Sequence, residues 1–425
     1  MPTNALTDTS DPQTILPPAL REGTEPFRSK VRAFLAEHLP PDWVSLGTLE
    51  EPRRKEWLEE WRKKLADHGM ICVAWPAEYG GQGRSLAEHI ALLEEFANAA
   101  APTMRIVDTL AIYLLGPTLL AMGTEEQKRR ILPRIVSGED RWCQGYSEPG
   151  AGSDLAAVNT SATLKDGQWV INGQKIWTTC AHEADWMFAL VRTDRSVSKY
   201  KGLTFLLIPM AQPGIEVRPI LDMNRHHDLN EVFFSDAVSD RSNVLGEVNG
   251  GWAAANALLG YERNDAAIRD ALNLRNELGR LIEVARNNGA AEDATIRARL
   301  AQAYVDVQAI THGAVRALSA ALQGKPPGPE SSVHKLLWTE YHQRVTTLAL
   351  DILGSDALTP DGRSSATYIN TDALDAPYSS RSWVETYFAA RAGTIYAGTS
   401  EIQRNIIAER VLGLPRLRPA TPKDS

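Results

Sequence analysis

The sequence predicts an α+β multidomain chain: a helical domain, then a middle antiparallel β domain, then a second helical domain of four-helix-bundle type. Apolar residues recur at helical spacing from Phe27 onward. Short β-branched and aromatic runs, separated by turn formers, replace that spacing over roughly 142–245. Helical spacing returns after Trp252 and continues to Leu414. The expected boundaries are a loose tail at 1–20, domains at 21–140, 141–248 and 249–415, and a tail at 416–425.

Helix starts in the first domain are marked by capping patterns. Ser85 and Glu88 have the spacing of a capping box, in which each side chain bonds the other residue's backbone N–H. Thr124 and Gln127 repeat that spacing. The segment Trp75–Gly83 is dense in turn formers. A helix is therefore expected after each capping pattern.

The middle segment reads as strands joined by turns. The dipeptide Asn172-Gly173 lies between two strand-like runs and is typical of a two-residue hairpin turn, so a hairpin is expected there. Further strands are expected at Met187–Val191, Leu203–Ile208 and Glu231–Phe234. In the last domain, breaks between helices are expected at 287–289, 324–329 and 354–382.

Composition argues against several classes of protein. A net charge of -8 argues against broad nucleic-acid binding, which depends on clustered Lys and Arg. Three scattered cysteines predict neither a disulfide framework nor a zinc site, and no HExxH or other metal-ligand pattern occurs. We expect neither a signal peptide nor a membrane span, because no charged start leads into an apolar run and no apolar run is long enough to cross a bilayer. We expect a cytoplasmic protein without a metal.

Glycines cluster in the segment Gly145–Asp154. Closely spaced glycines let the N–H groups of Gly150–Ser153 cradle a phosphate or another anion, but a tight turn between subdomains is the alternative. Gly145-Tyr146-Ser147 resembles the start of a hydrolase nucleophile elbow. Pro149 stands where the final glycine belongs, which argues against a serine hydrolase.

Three further positions are candidates for chemistry. Trp177 follows the expected hairpin, where an indole can lie against a ring system; a core tryptophan is the alternative. Ser400 and Gln403 have capping-box spacing at a helix start that favours a carbonyl oxygen or an anion, or is simply a well-capped helix. Glu262 interrupts an apolar helix start, as a general base or as a salt-bridged surface residue.

Together these segments resemble the acyl-CoA dehydrogenase family over nearly the whole chain. The resemblance is carried, in the family's order and spacing, by Trp75–Gly83, Gly123–Gln127, Tyr146–Asp154, Ile171–Thr179, Leu245–Trp252 and Tyr396–Arg404. It implies the family's fold, bound FAD, an acyl-CoA substrate, an electron-transfer flavoprotein or similar electron acceptor, and a tetramer. The implied chemistry removes the proton α to a thioester carbonyl by a carboxylate base while a hydride leaves the β carbon for the flavin.

The resemblance also assigns residues by position. Contacts to the isoalloxazine and ribityl regions are implied for Tyr146, Ser147, Trp177 and Thr179, with further flavin contacts for Thr399 and Glu401. Ser153 is implied near the flavin phosphate or the CoA thioester arm, and Arg263 is implied to hold the CoA portion.

The position of the family's commonest base, just before the last Gly-Thr, is Ala397 here, which cannot take a proton. Some members place the glutamate one residue before the arginine of the first C-terminal helix, and Glu262 before Arg263 matches them. The resemblance thus implies Glu262 as the base. Ala397 and Gly398 are implied at the substrate, with the Ala397 N–H as a donor to the thioester oxygen.

Two segments depart from the family pattern. The glycine-rich cofactor loop reads Leu353–Ala357, and the Arg-Lys-x-Phe-Gly segment reads Arg286–Gly289, so that Arg286 alone is a plausible cofactor contact there. Both segments normally help a neighbouring subunit to hold its flavin. Their erosion resembles a bacterial branch, including steroid side-chain degrading enzymes, in which two unlike subunits combine. We expect a homotetramer with altered contacts or a heterotetramer with a related subunit.

Three functions remain open from the sequence. The leading one is an FAD-dependent acyl-CoA dehydrogenase, favoured by Glu262. A non-catalytic partner subunit is favoured by the eroded loops, and a flavin monooxygenase or oxidase on the same fold is the third. The space left beside Ala397 fits a bulky, branched or ring-bearing acyl group.

Overall fold

A computed structural model of the protein describes residues 15–16, 18–325, 328–365, 367–374 and 376–416. The side chains of 261–266 also lie outside this description, which includes those of Glu262 and Arg263. Most of the two expected tails lies outside the described residues.

The first domain is helical, as predicted. Its helices are α1 (Pro18–His38), α2 (Arg53–Asp67), α3 (Leu86–Asn98), α4 (Ile106–Leu110), α5 (Gly116–Met122) and α6 (Glu125–Ser137). A π-helical turn, Ala111–Leu115, joins α4 to α5. Both predicted capping boxes are confirmed: the Ser85 hydroxyl accepts from the Glu88 N–H and the Thr124 hydroxyl from the Gln127 N–H, each at 3.2 Å.

The prediction of a loose tail at 1–20 is wrong for its last residues. Helix α1 begins at Pro18 rather than near Phe27. Ile15 and Leu16 are buried, and their N–H groups donate to the Glu94 carboxylate. Glu94 is itself buried and paired with Arg28 of α1, which compensates the burial of its charge. The polar composition of the segment does not reveal this anchor, because the partner is about 80 residues downstream.

The middle domain is a sheet in which, among the described residues, seven strands pair. They are β1 (Trp142–Gly145), β2 (Ser161–Lys165), β3 (Gln168–Thr179), β4 (Trp186–Arg192), β5 (Leu203–Pro209), β6 (Ile215–Ile220) and β7 (Leu229–Asp240). The sheet order is β1-β4-β2-β3-β7-β6, with β5 on β4. Most pairs are antiparallel as predicted, but β1 and β2 each pair with β4 in parallel.

The hairpin predicted at Asn172-Gly173 is wrong, because β3 runs straight through this dipeptide. The turn between β2 and β3 is Asp166-Gly167, whose φ values of 49° and 83° suit a two-residue hairpin. Asn172-Gly173 instead marks a register shift against β7. A Cβ on Gly173 would lie 2.7 Å from the Thr160 Cα, so the glycine allows a close approach of two backbone segments.

The last domain is a bundle of α7 (Gly251–Asn287), α8 (Ala294–Leu322), α9 (Ser331–Leu353) and α10 (Ser380–Gly393), followed by α11 (Ser400–Ile406). In the described residues, α7 ends at Asn287, α9 ends at Leu353 and α10 begins at Ser380, close to the predicted helix breaks. Helix α7 ties the helical domains together: Asn276 donates to the Ala97 carbonyl of α3 at 3.0 Å, and Glu277 lies 3.2 Å from His342 of α9. None of the described helices, the 37-residue α7 included, is both long and apolar enough to cross a membrane.

Candidate active site

The segment Tyr146–Glu148 is fastened to β3 by a buried lysine. The Lys175 Nζ donates to the Tyr146 carbonyl at 3.1 Å, to the Leu190 carbonyl at 2.8 Å and to the Glu148 carboxylate at 2.8 Å. One residue on, the Ile176 N–H donates to the Ser147 carbonyl at 3.0 Å. The structure thus brings the two segments predicted to contact a flavin side by side.

The electrostatics of the Lys175–Glu148 pair follow from its burial. Burial lowers the pKa of Lys175 to about 8, although the Glu148 carboxylate opposes the shift. Burial acts to raise the pKa of Glu148, but the Lys175 ammonium and the N–H groups of Asn159 and Thr160 outweigh it and hold that pKa below its usual value. These N–H groups lie 2.6 and 2.9 Å from the carboxylate. Neither role was predicted from the sequence. The signal for it was a lysine at an inward-facing position of a strand, because a buried charge needs a partner.

The glycine cluster forms a tight turn, which was one of its two interpretations. The Glu148 N–H donates to the Ala151 carbonyl at 3.0 Å, and the Ala151 N–H returns to the Glu148 carbonyl at 2.9 Å. The Ala151 N–H is therefore already used within the protein. Gly152 and Ser153 are exposed after the turn. The predicted contact of Ser153 with a phosphate or a thioester arm stays a prediction.

A bulge in β3 exposes the Trp177 side chain. The alternative interpretation of Trp177 as a core tryptophan is therefore wrong. The pairing of β3 with β7 shifts register between Lys175 and Thr178, and Trp177 takes a left-handed φ of 60° there. Its side chain is 56% exposed, whereas Thr178 beside it is fully buried and Thr179 half-buried. A bulky residue is strained at positive φ, and such strain is typically retained at ligand sites. The exposed indole offers a flat apolar face beside the strand end.

The turn before α11 has a second concentration of left-handed residues. Ala397 and Gly398 have φ values of 52° and 88°. The Gln403 Nε2 donates to their carbonyls at 2.9 and 3.2 Å. The buried Lys335 Nζ donates to the Gly398 carbonyl and to the Gly393 carbonyl, both at 2.8 Å. Two side chains from α9 and α11 thereby hold the carbonyls of this turn on one side.

The N–H groups of the same turn are available to a ligand. In the described part of the chain, the N–H groups of Ala397 and Gly398 donate to no protein acceptor. The turn is half-buried, where a hydrogen bond to developing negative charge is stronger than in water. The arrangement suits a carbonyl oxygen that gains charge during a reaction.

The predicted capping box at Ser400 is wrong by one residue. Thr399 is the N-cap, and its hydroxyl accepts from the Ile402 N–H at 3.3 Å. The Ser400 hydroxyl donates instead to Glu340 at 2.8 Å, because Gln403 is drawn to the carbonyls of the preceding turn. Glu401 lies in the first turn of α11, and its side chain is 78% exposed. Its flavin contact, like that of Thr399, stays a prediction.

Helix α7 carries the remaining predicted positions. Positions 262 and 263 lie within this helix, but the side chains of Glu262 and Arg263 lie outside the described residues. Arg286 is exposed in the last turn of α7. It stands 24 residues beyond position 262, about 36 Å along the helix. Arg286 and Glu262 of one chain therefore cannot contact the same part of one ligand.

A β domain between two helical domains, with an exposed aromatic side chain at the end of β3, is the arrangement that the sequence predicts for a flavin-dependent dehydrogenase of the helix–sheet–helix class. Residues 21–139, 143–237 and 249–412 match the family models described as acyl-CoA dehydrogenase N-terminal, middle and C-terminal domain. The chain belongs to the acyl-CoA dehydrogenase family. The fold and family predicted from the sequence are confirmed.

Individual relatives agree with this assignment. The chain is 43% identical to the acyl-CoA dehydrogenase IpdE1 of Mycobacterium tuberculosis over 400 residues, 93% of this chain and 99% of the relative. The solved Tcur3481-Tcur3483 steroid ACAD is 30% identical, with a TM-score of 0.77 over 95% of this chain and all of that one. The ChsE4-ChsE5 complex from Mycobacterium tuberculosis is 29% identical, with a TM-score of 0.73 over 95% of this chain and 99% of that one.

The protein is an FAD-dependent enzyme, as its family is. The site fits that cofactor: the Trp177 bulge presents an outward aromatic face, and the segment tied to it by Lys175 lies directly alongside. The cofactor and enzyme class expected from the sequence are confirmed. The individual flavin contacts are proposals.

Proposed function

We propose that this chain introduces a double bond between the α and β carbons of an acyl-CoA thioester, with Glu262 as the base. The observation that carries the proposal is the turn at Ala397-Gly398. Its N–H groups are free of protein acceptors among the described residues, while its side chain at 397 is a methyl group that cannot accept a proton. A site that binds a carbonyl oxygen here needs its base elsewhere, and Glu262 on α7 is the carboxylate that the family pattern supplies.

The turn works by binding the thioester oxygen. Removal of the α proton places negative charge on that oxygen, and the Ala397 N–H donates to it. Gln403 and Lys335 fix the carbonyls of the turn, so the donors need no reorganisation as charge develops. Bound FAD supplies the acceptor for the hydride that leaves the β carbon. Tyr146, Ser147, Trp177, Thr179, Thr399 and Glu401 of this chain hold it, with Ser153 at the phosphate or the thioester arm and Arg263 at the CoA portion.

The substrate is a bulky or ring-bearing acyl group. Alanine at 397 removes the volume that a glutamate would occupy beside the reacting carbons. The solved structure titled a steroid ACAD supports the same class, because this chain is similar to it over nearly its whole length.

The assembly is a heterotetramer with a related chain, and an electron-transfer flavoprotein or similar acceptor reoxidises it. Two of the similar solved structures are titled as pairs, Tcur3481-Tcur3483 and ChsE4-ChsE5. Arg286 is exposed about 36 Å along α7 from position 262, and this separation supports a contact with a neighbour's cofactor rather than with the ligand at position 262. The departures at Leu353–Ala357 fit an assembly in which not every flavin site is kept.

The base assignment is tested with Glu262→Gln. Flavin reduction by acyl-CoA thioesters is followed anaerobically in the flavin-loaded protein, co-purified with its partner chain where one is needed. We expect the rate to fall about 10²- to 10⁴-fold, since a positioned base contributes that much. Binding of the thioester should persist. Glu283→Gln, on the same helix and paired at 3.6 Å with Arg280, is the matched control and should reduce at the wild-type rate.

Two results separate this proposal from its alternatives. If Glu262→Gln reduced the flavin at the wild-type rate, Glu262 would not be the base. A flavin-loaded wild-type protein that no acyl-CoA bleaches, although thioesters bind, would favour the non-catalytic partner subunit.

A further inference from the structure

A polar cluster lies where the π-helical turn of the first domain meets helix α7. The Arg269 guanidinium carbon is 4.7 Å from the centre of the Tyr113 ring. The Arg269 Nε is 3.7 Å from an Asp270 carboxylate oxygen, and the Tyr368 hydroxyl donates to that same oxygen at 3.2 Å. The cluster thus joins three segments that are far apart in sequence. π-Helical turns of this kind are frequent at functional sites.

The cluster borders open space although it is deep. Asp270 is 2% exposed, and burial raises its pKa. Burial likewise raises the pKa of the Tyr368 phenol, yet 38% of Tyr368 is accessible. The Arg269 side chain is 22% accessible although Ile268 and Asp270 on either side of it are buried. Arg269 and Tyr368 are therefore accessible from solvent although the residues next to Arg269 in the helix are buried.

The Arg269 guanidinium has capacity for another acceptor. Burial opposes the charge of Arg269, but Tyr368, Tyr113 and Asp270 more than offset it and raise its pKa, so the guanidinium stays charged. A guanidinium has five N–H donors, and a charge-assisted pair is normally 2.7–2.9 Å long. The 3.7 Å separation from Asp270 is looser than that. Besides Asp270, the Tyr113 and Tyr368 hydroxyls interact with the guanidinium, and these three partners are fewer than its five donors.

Part of the cluster lies on the same helix as the proposed base. Arg269 follows position 262 by seven residues of one helix, which is two turns and about 10 Å. A group that reaches from the reacting carbons to Arg269 is therefore a medium-length chain or a fused ring system. We propose that Arg269, steadied by Asp270 and Tyr113, binds a carboxylate or ketone oxygen at the far end of the acyl group. This inference rests on the proposed function, because it takes the acyl group to lie along α7.

The test compares three CoA thioesters of equal chain length: octanoyl-CoA, 7-oxo-octanoyl-CoA and the mono-CoA thioester of octanedioic acid. Dissociation constants are measured by calorimetry, and anaerobic flavin reduction in parallel, with the flavin-loaded assembly. We expect the wild type to prefer the two oxygen-bearing thioesters. Arg269→Met should weaken them about 10- to 100-fold, and octanoyl-CoA less than threefold, because a hydrogen bond to a charged group contributes on that scale.

The control is Arg275→Met, which removes a cation six residues further along α7. This variant should keep the wild-type preference for the two oxygen-bearing thioesters. If Arg269→Met does not fold, Arg269→Gln serves, with its loss greatest for the carboxylate. A preference that survives the loss of Arg269, or no preference in the wild type, overturns the inference. Selective binding without flavin reduction would support it while overturning the proposed function. The thioester that loses more affinity on substitution of Arg269 shows whether the group bound there is a carboxylate or a ketone.

Discussion

At the scale of single residues, the buried Lys175–Glu148 pair holds the segment Tyr146–Glu148 against β3. Lys175 donates to the carbonyl of Tyr146, and Glu148 accepts from the two N–H groups that directly precede β2. A buried ion pair of this kind contributes little net stability compared with apolar residues, but the loss of one partner is costly. Its role is to fix where the segment Tyr146–Glu148 lies.

The first prediction concerns the pH dependence of this pair. Because the pKa of Glu148 is lowered in the folded protein, its stabilisation is present above the ordinary carboxyl pKa and is lost as the pH falls through the folded value. At neutral pH, Glu148→Gln should cost about 3 kcal/mol, since it leaves a buried lysine without its carboxylate. Thermal unfolding should show a smaller difference in melting temperature between wild type and variant at pH 4 than at pH 7.

The control for that measurement is Glu216→Gln. Glu216 pairs with Arg218 at 2.7 Å, but both side chains are more than half exposed, and the substitution should change the melting temperature little at either pH. A Glu148→Gln deficit that stays constant between pH 7 and pH 4 would contradict the assigned electrostatics.

At the scale of elements, both candidate ligand surfaces are irregularities in regular structure. Trp177 is exposed because β3 bulges, and the N–H groups at Ala397 are available because two successive residues turn left-handed. Sequence patterns report the regular parts. They misplace the hairpin, since Asn172-Gly173 suits a bulge as well as a turn, and only the backbone of Thr160 decides between them.

The second prediction tests the strain at Ala397. An alanine at a φ of 52° is disfavoured by about 1 kcal/mol or more, which glycine would relieve, while glycine costs a similar amount through the entropy of the unfolded chain. Ala397→Gly should therefore leave the stability within about 0.5 kcal/mol of wild type. Ala301→Gly, at an exposed position inside α8, should cost about 1 kcal/mol. Chemical denaturation of the two variants gives the comparison; equal losses would contradict the left-handed assignment.

At the scale of the whole molecule, the order of the domains could be predicted because each has its own spacing of apolar residues. The cross-connections could not. Lys335 reaches the carbonyls of Gly393 and Gly398 across about 60 residues, and Lys175 reaches Tyr146 across 29. The sequence alone does not indicate which residue a lysine side chain contacts. The family pattern supplied the positions of the site, but the side chains that hold those positions in shape became visible only with the fold.

The surface of the last domain has many exposed apolar side chains. In the helices of this domain and the loops that follow them, the exposed apolar residues include Val305, Leu337, Leu358, Ile395, Leu412 and Leu414. Each of these is between 43% and 85% exposed. Single exposed apolar residues are ordinary on a monomer, whereas several of them in one contiguous area are typical of a surface that binds another chain. We expect the related subunit to pack against such an area of the C-terminal domain, the domain that also carries Arg286.

The last prediction is that assembly and flavin retention depend on this surface. Val305→Lys combined with Leu337→Lys places two charges on α8 and α9, and burying them against a partner chain would leave them unpaired. Co-purified with its related chain, the wild type should have a mass well above the 46.7 kDa of one subunit, and the variant should elute as free subunits with less bound flavin. Light scattering coupled to gel filtration, and the flavin-to-protein absorbance ratio, measure both effects. Val197→Lys, 42% exposed in the β domain, is the matched control and should assemble normally. A double variant with unchanged mass and flavin content would place the interface on another face of the molecule.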